Sequence, residues 1–484
     1  MRKLLLVTLL LATPIRSADL SSLGLANWQV IREKPSDVLI AKDHLKLRTQ
    51  PGRIWAGNDA RNVLVSKPIS AKPLQLSARV RLIDPSTKYE QAGLLCYVQD
   101  DWFVKIIVEH IDGEAWVVSA IEGPSRRKLL SKERVSGFEV GLSLEVHGDV
   151  VLCHYQEPGK PRRFACSVEL PAKEKRMLGL FTQDGPADEA NFATFSQIAV
   201  AEAPLVLTET RKVAADCKFT EGPALSPAGD LYFSDGPNDR IVKLDKHGKQ
   251  SVYLTPCGVA NGLLFDSQGR LLMCQSSREG GGRALARMKL TDPKPTILTR
   301  QFEGNRYIAP NDLCIDGKGR IYFTDPYYSG EKSQPVAGVY RHDPDGKVTR
   351  LVGDLLKPNG ILLTPDSTTL YVSDRGTQKL HRYRVNENGE LKPDGILYDF
   401  SPDRGIDGMW LDELGDIYGA AGKGATTGLF VISPDGHLLL HKPMPEFSTN
   451  VIIGGNDLYL TASTSVYHLK TRFRSAELPP PLED

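Results

Sequence analysis

Six polar residues keep a near-constant distance from an apolar residue that follows each of them. Glu221 lies 10 residues before Leu231, Asn261 10 before Leu271 and Asn311 10 before Ile321. Asn359 lies 11 before Leu370, Asp407 10 before Ile417 and Asn450 8 before Leu458. All six side chains carry oxygen, and none is His or Cys. Hard cations take carboxylate and amide oxygens, and Ca²⁺ accepts roughly 6–8 of them in flexible geometry. Two carboxylates, Glu221 and Asp407, balance one divalent cation. Without it they would repel across a narrow space and one pKa would rise. Asn and Asp also open strands because they favour turns. That preference explains Glu221 and the steady offset poorly.

The apolar anchors belong to a repeated turn-and-strand phrase. The copies are PAGDLYFSD (227–235), SQGRLLMCQ (267–275), GKGRIYFTD (317–325), DSTTLYVSD (366–374), ELGDIYGAA (413–421) and GGNDLYLTA (454–462). Successive anchors are 40, 50, 49, 47 and 41 residues apart. That period suits four strands per unit, as in propeller blades, and no helical pattern long enough for a βαβ layout intervenes. The expected fold over 206–472 is therefore a six-bladed β-propeller, closed by a strand near 205–213 beside the last blade. Innermost strands line the channel of a propeller, so the six oxygen-bearing residues should lie on one ring. Asp235, Asp325 and Asp374 end second strands, where capping of a turn is their expected task.

Residues 19–203 also read as β throughout. The segment LQLSARVRLI (74–83) alternates as a half-buried strand does. Asp100-Asp101, Asp112-Gly113 and Gly148-Asp149 mark hairpin turns between apolar runs. Many short strands with polar turns indicate a sandwich or barrel. Trp55, Trp102 and Trp116 are candidates for stacking on sugar rings, with core packing as the alternative.

Ahead of this region, Arg2-Lys3 followed by the apolar run Leu4–Ala12 resembles an export signal, expected over 1–18. That run is far short of the ~20 residues of a membrane span, and no later segment is long enough. The expected location is periplasmic or secreted. Net charge is +1, so no basic excess directs the chain to nucleic acid or acidic lipid. Seven cysteines show no zinc-like spacing. Cys153 with Cys166, or Cys257 with Cys274, could pair across hairpins, and buried thiols are the expectation for most. The Pro-rich acidic end, 473–484, reads as a disordered tail.

With the motifs in order, the C-terminal part resembles the gluconolactonase family, which includes the regucalcins. The resemblance rests on FTEGPALSPAGDLYFSD, GVANGLLFDSQGRLL, APNDLCIDGKGRIYFTDPYY, KPNGILLTPDSTTLYVSD and GIDGMWLDELGDIYGA. It implies a six-bladed propeller that holds a divalent metal, commonly Ca²⁺ with Zn²⁺, Mn²⁺ or Mg²⁺ as alternatives, and that hydrolyses lactones. By that resemblance Glu221, Asn359 and Asp407 match the metal ligands, Asn311 matches a position that binds metal or substrate, and Asn261 falls where the substrate or the ligands are contacted. Asp312 and Asn450 are further candidates for the substrate. Asp407 is the first choice for general base and Glu221 the second. Tyr327, Tyr328, Arg375, Met409 and Trp410 are candidates for lining the substrate mouth, with core or rim packing as the alternative for each. The expected partner is a sugar-derived lactone or a sugar acid. The N-terminal half resembles the concanavalin-like jelly-roll sandwiches, through QAGLLCYVQDDWFVKIIVEHIDGEAWVVS. A sandwich does not by itself imply a lectin, and binding of carbohydrate is one expectation for this domain.

Overall fold

The computed structural model describes residues 19–477, apart from 70, 71, 125, 172–175, 278 and 331. The export signal expected over 1–18 lies outside the described residues. The chain divides into two compact units between Pro204 and Leu205. No helix of the described residues is long and apolar enough to cross a membrane.

The N-terminal unit consists of two seven-stranded antiparallel sheets. Central strands of the first are Gln91–Gln99, Trp102–Ile111 and Glu114–Gly123. Those of the second include Leu74–Ile83 and Glu139–His147. Period-2 alternation sends Leu94, Val104 and Ile106 of one sheet and Leu76, Val80 and Leu144 of the other into one shared core. A second apolar cluster lies on the opposite face of the first sheet. There Phe103, Ile107 and Phe181 sit with Ile54, Ala60 and Val63. Cys153 stands directly across from Cys166 on adjacent strands, and both are buried free thiols, as are the other five cysteines.

The C-terminal unit contains six four-stranded antiparallel sheets in sequence order. Their innermost strands are Thr220–Leu225, Ala260–Phe265, Leu313–Ile315, Pro358–Leu363, Met409–Leu411 and Ser448–Gly454. The outermost strand of the sixth blade is Arg211–Ala214, which pairs with Ser465–Lys470. The chain thus closes its own ring, the first strand of the unit completing the last blade.

Neighbouring blades are joined by a repeated device. Near the end of the second strand a hydroxyl donates to a main-chain carbonyl of the next blade. Ser234 Oγ reaches Asn261 O at 2.8 Å, Thr324 Oγ1 reaches Asn359 O at 2.7 Å and Ser373 Oγ reaches Ile406 O at 2.6 Å. From the sixth blade Thr449 Oγ1, on the innermost strand, donates to Thr220 O of the first at 2.8 Å. The acids that follow cap turns as expected. Asp235 Oδ1 accepts the Lys218 and Phe219 amides, Asp325 those of Ile308 and Ala309, and Asp374 those of Leu356 and Lys357.

The tail is ordered farther than expected. Ser475 forms a β-bridge with Asp412, and Ala476 N donates to Leu411 O at 3.0 Å. These main-chain bonds hold it despite its acidic, Pro-rich continuation, which lies outside the described residues.

Candidate functional site

Each ring residue stands at the start of an innermost strand, where pairing with the second strand is interrupted. The register shifts between Glu221 and Ala224, Ala260 and Leu263, Pro358 and Ile361, and Ser448 and Asn450. Asn311 and Asp407 lie just ahead of their short inner strands. A bulge leaves a residue unpaired and re-aims its side chain. Glycine follows the ring residue in four blades because the next blade passes too close for a side chain. A Cβ on Gly222, whose φ is +48°, would lie 2.1 Å from Asn261 O. One on Gly408 would lie 1.9 Å from Asn450 Cγ.

Asn359 of the fourth blade and Asp407 of the fifth meet directly. Asn359 Nδ2 donates to Asp407 Oδ1 at 2.6 Å and to the Tyr328 hydroxyl at 2.6 Å. Asp407 Oδ2 takes two guanidiniums, Arg404 Nη1 at 2.9 Å and Arg375 Nη1 at 3.2 Å. Arg404 is itself fixed by donation to Gly422 O and Ser448 O, both at 2.6 Å, and by the Phe447 ring, whose centroid is 4.0 Å from its guanidinium carbon. Glu221 of the first blade faces this group. Its pKa is raised well above the ordinary value, first by burial and then by the negative charges of Asp407 and Asp312. Among the described residues its carboxylate accepts one hydrogen bond, from Gly222 N at 3.4 Å.

Asp312 reaches toward the same axis from the third blade. Burial pushes it up to about 7, against hydrogen bonds from the Leu313 and Ile361 amides and the Asn450 side chain. Asn261 and Asn311 hold side-chain amides without a hydrogen-bond partner among the described residues. The Tyr328 ring is 42% exposed, whereas burial of its hydroxyl end raises its pKa. Tyr327 turns to its own loop, with its hydroxyl 3.3 Å from Gly330 O.

Met409 and Trp410 do not line the mouth. Met409 is buried in the apolar core. Trp410 packs against three separate apolar clusters of the propeller and donates from Nε1 to Ser475 Oγ at 2.9 Å. It lies three residues beyond Asp407, roughly 10 Å along the strand at ~3.3 Å per residue. Arg404 escaped the sequence reading. Its only signal is an Arg three residues before an acid in a loop, a pattern common at exposed ion pairs.

Among the described residues, no group of three His, Cys, Asp or Glu side chains is placed to hold an ion. The ring offers amides alongside two carboxylates, a donor set of another kind.

A family model described as SMP-30/Gluconolactonase/LRE-like region matches residues 219–464. A gluconolactonase of Zymomonas mobilis is 30% identical over 302 residues, which span 55% of this chain and 82% of the relative. The lactonase drp35 of Staphylococcus aureus is 30% identical over 270 residues, spanning 51% of this chain and 81% of the relative. Among solved structures, a gluconolactonase from Xanthomonas campestris superposes with a TM-score of 0.50 at 27% identity. The match covers 55% of this chain and 91% of that one.

Proposed function

The chain belongs to the SMP-30/gluconolactonase/LRE-like family, and from that premise we propose that it hydrolyses a lactone at the ring of polar residues in the propeller channel. One observation carries the proposal. Residues from the first, fourth and fifth blades, far apart in sequence, bring Glu221, Asn359 and Asp407 to a common polar centre. The names of the relatives point the same way.

The substrate we propose is sugar-derived. The unengaged amides of Asn261 and Asn311, with Arg375 on Asp407, suit a ligand rich in hydroxyls. The residues also fit a divalent cation. The ring is oxygen throughout, and Glu221 is a buried carboxylate with one hydrogen bond beside two more negative groups. Ca²⁺ suits that set first, with Zn²⁺, Mn²⁺ and Mg²⁺ as alternatives. Held by Glu221, Asn359 and Asp407, with Asn311 beside them, such an ion would supply Lewis acidity to the ester carbonyl. Arg375 and Arg404 fix Asp407 through Oδ2 and leave Oδ1 toward Asn359. Both oxygens of Asp407 are engaged, whereas Glu221 accepts one backbone bond among the described residues and keeps lone pairs for a water. We therefore assign the general base to Glu221, with Asp407 and Asn359 positioning the ester.

The test is a pH-stat assay on D-glucono-1,5-lactone and D-galactono-1,4-lactone, with and without chelator. Hydrolysis should exceed the spontaneous rate, stop with chelator and return with added Ca²⁺. An ion bound without turnover across a lactone panel would make the propeller a binding module for a sugar acid.

For the N-terminal unit we propose kinship with the concanavalin-like jelly rolls and a carbohydrate-binding role, on its two facing seven-stranded sheets. Residues 1–18 we propose as an export signal. Recovery of the protein from the periplasm or medium with a mature N-terminus near Ala18 would support that.

A further inference from the structure

The first sheet of the N-terminal unit has a face turned away from the core it shares with the second sheet. On a solvated sheet face charged side chains ordinarily stand in water. Here Lys105 is 4% exposed, Gln91 2% and Glu109 8%. Lysine and glutamate are almost never buried to this degree without partners. These three residues and Trp55 line a cleft of about 390 Å³. That volume falls within the ~300–1,000 Å³ typical of small-molecule sites.

The polar lining forms a relay. Lys105 Nζ donates to Gln91 Oε1 at 2.6 Å, and Gln91 Nε2 donates to Glu109 Oε1 at 2.9 Å. An ammonium has three donors. The other two on Lys105 have no hydrogen-bond acceptor among the described residues, and Glu109 Oε2 has no donor. Burial pushes Lys105 down to about 8 and Glu109 up to about 6, so both charges sit there at a cost. The Trp55 ring centroid is 5.1 Å from Lys105 Nζ. Arg127 Cζ stands 5.6 Å from the same ring, and of the three candidate tryptophans Trp55 is the one that lines the cleft; Trp102 packs against the shared core.

We propose that this cleft binds one ring of a neutral carbohydrate, its apolar face beside Trp55 and its hydroxyls bridging Lys105 and Glu109. A hydroxyl donates and accepts through one oxygen, which matches an ammonium and a carboxylate placed side by side. An anion would meet Glu109 and Asp184, and a cation would meet Lys105 and Arg53. Arg53 and Asp184 already pair at 2.5 Å and Lys105 faces Glu109 through Gln91, which leaves the exposed Lys132, over the Trp116 ring, as the one lining charge without an ion pair among the described residues. The inference rests on the carbohydrate role proposed above for this unit, to which it gives a site and a ligand class.

The experiment titrates the full-length protein with methyl β-D-glucopyranoside, methyl β-D-xylopyranoside and cellobiose, by calorimetry and Trp fluorescence. Sodium gluconate serves as the competing anion. Two variants accompany it, with folding checked by circular dichroism. Lys105→Met removes the buried charge, and Leu129→Glu alters a lining residue that is 53% exposed and so tolerates change. At least one neutral glycoside should bind. Both folded variants should weaken that binding about tenfold or more, equivalent to ~1.4 kcal/mol, and gluconate should not displace it. If Lys105→Met does not fold, Leu129→Glu decides. Binding unchanged in the variants overturns the cleft while leaving the carbohydrate role standing. Absence of binding across the panel overturns both, and displacement by gluconate overturns the neutral ligand.

Discussion

Asp407 concentrates more interactions than any other ring residue, and that sets what substitution there should do. Asp407→Ala leaves Arg375 and Arg404 without their shared carboxylate and removes a proposed ligand. It should lower kcat/KM on a lactone by about 10²–10³, the loss typical of removing one charge-stabilising group. Arg404→Ala tests the support. Its side chain is 7% exposed and that of Asp407 4%, and breaking a buried pair from one side costs ~3–5 kcal/mol. Urea unfolding should register a loss of that order. Arg404→Lys should recover only part, because lysine cannot reach Asp407, Gly422 and Ser448 together. The ring acids were legible in the sequence because an acid or amide recurred at a fixed offset in a repeat. Arg404 was not, since nothing in the local pattern shows that a loop arginine will turn inward onto Asp407.

At the scale of elements, the clasp between the first strand of the propeller and its last blade runs through Glu446. This carboxylate accepts Lys212 Nζ at 2.8 Å, Ser465 Oγ at 2.7 Å and the Tyr467 hydroxyl at 2.8 Å. Partial burial pushes its pKa up, but these bonds, led by Lys212, outweigh burial and hold it at about 2. A carboxylate with a lowered folded pKa contributes stability that is fully present above its ordinary value of 4.5 and is lost as pH falls toward 2. Wild type should therefore exceed Glu446→Gln in stability at pH 7, and urea titrations should show that gap narrowing below pH 4.5 and closing only near pH 2. A gap independent of pH would contradict the clasp. The strands themselves were readable, since alternation marked Leu74–Ile83 and the Asp-Gly turn fell between Trp102–Ile111 and Glu114–Gly123. What alternation could not reveal was Trp410. An aromatic on an inner strand reads equally as mouth or plug until the neighbouring blades are in place.

The whole molecule is two compact units, each with apolar clusters of its own. Such a chain should not unfold in one step. Calorimetry should resolve two transitions, and an ion bound at the channel should raise only that of the propeller, as ligand linkage requires. A propeller transition that does not rise with added ion would contradict binding in the channel. Six blades were countable in the sequence because one phrase recurs six times. The burial of Lys105 was not, because a lysine in an alternating strand reads as solvated until the 50–65 segment covers that face. The most direct measurement is the ion content of the purified protein after equilibrium dialysis against Ca²⁺. Wild type should hold one ion per chain, and Glu221→Gln, Asn359→Leu and Asp407→Ala should each lose it while staying folded. An ion retained in all three variants, or full lactonase turnover by ion-free wild type, would contradict a shared centre built from separate blades.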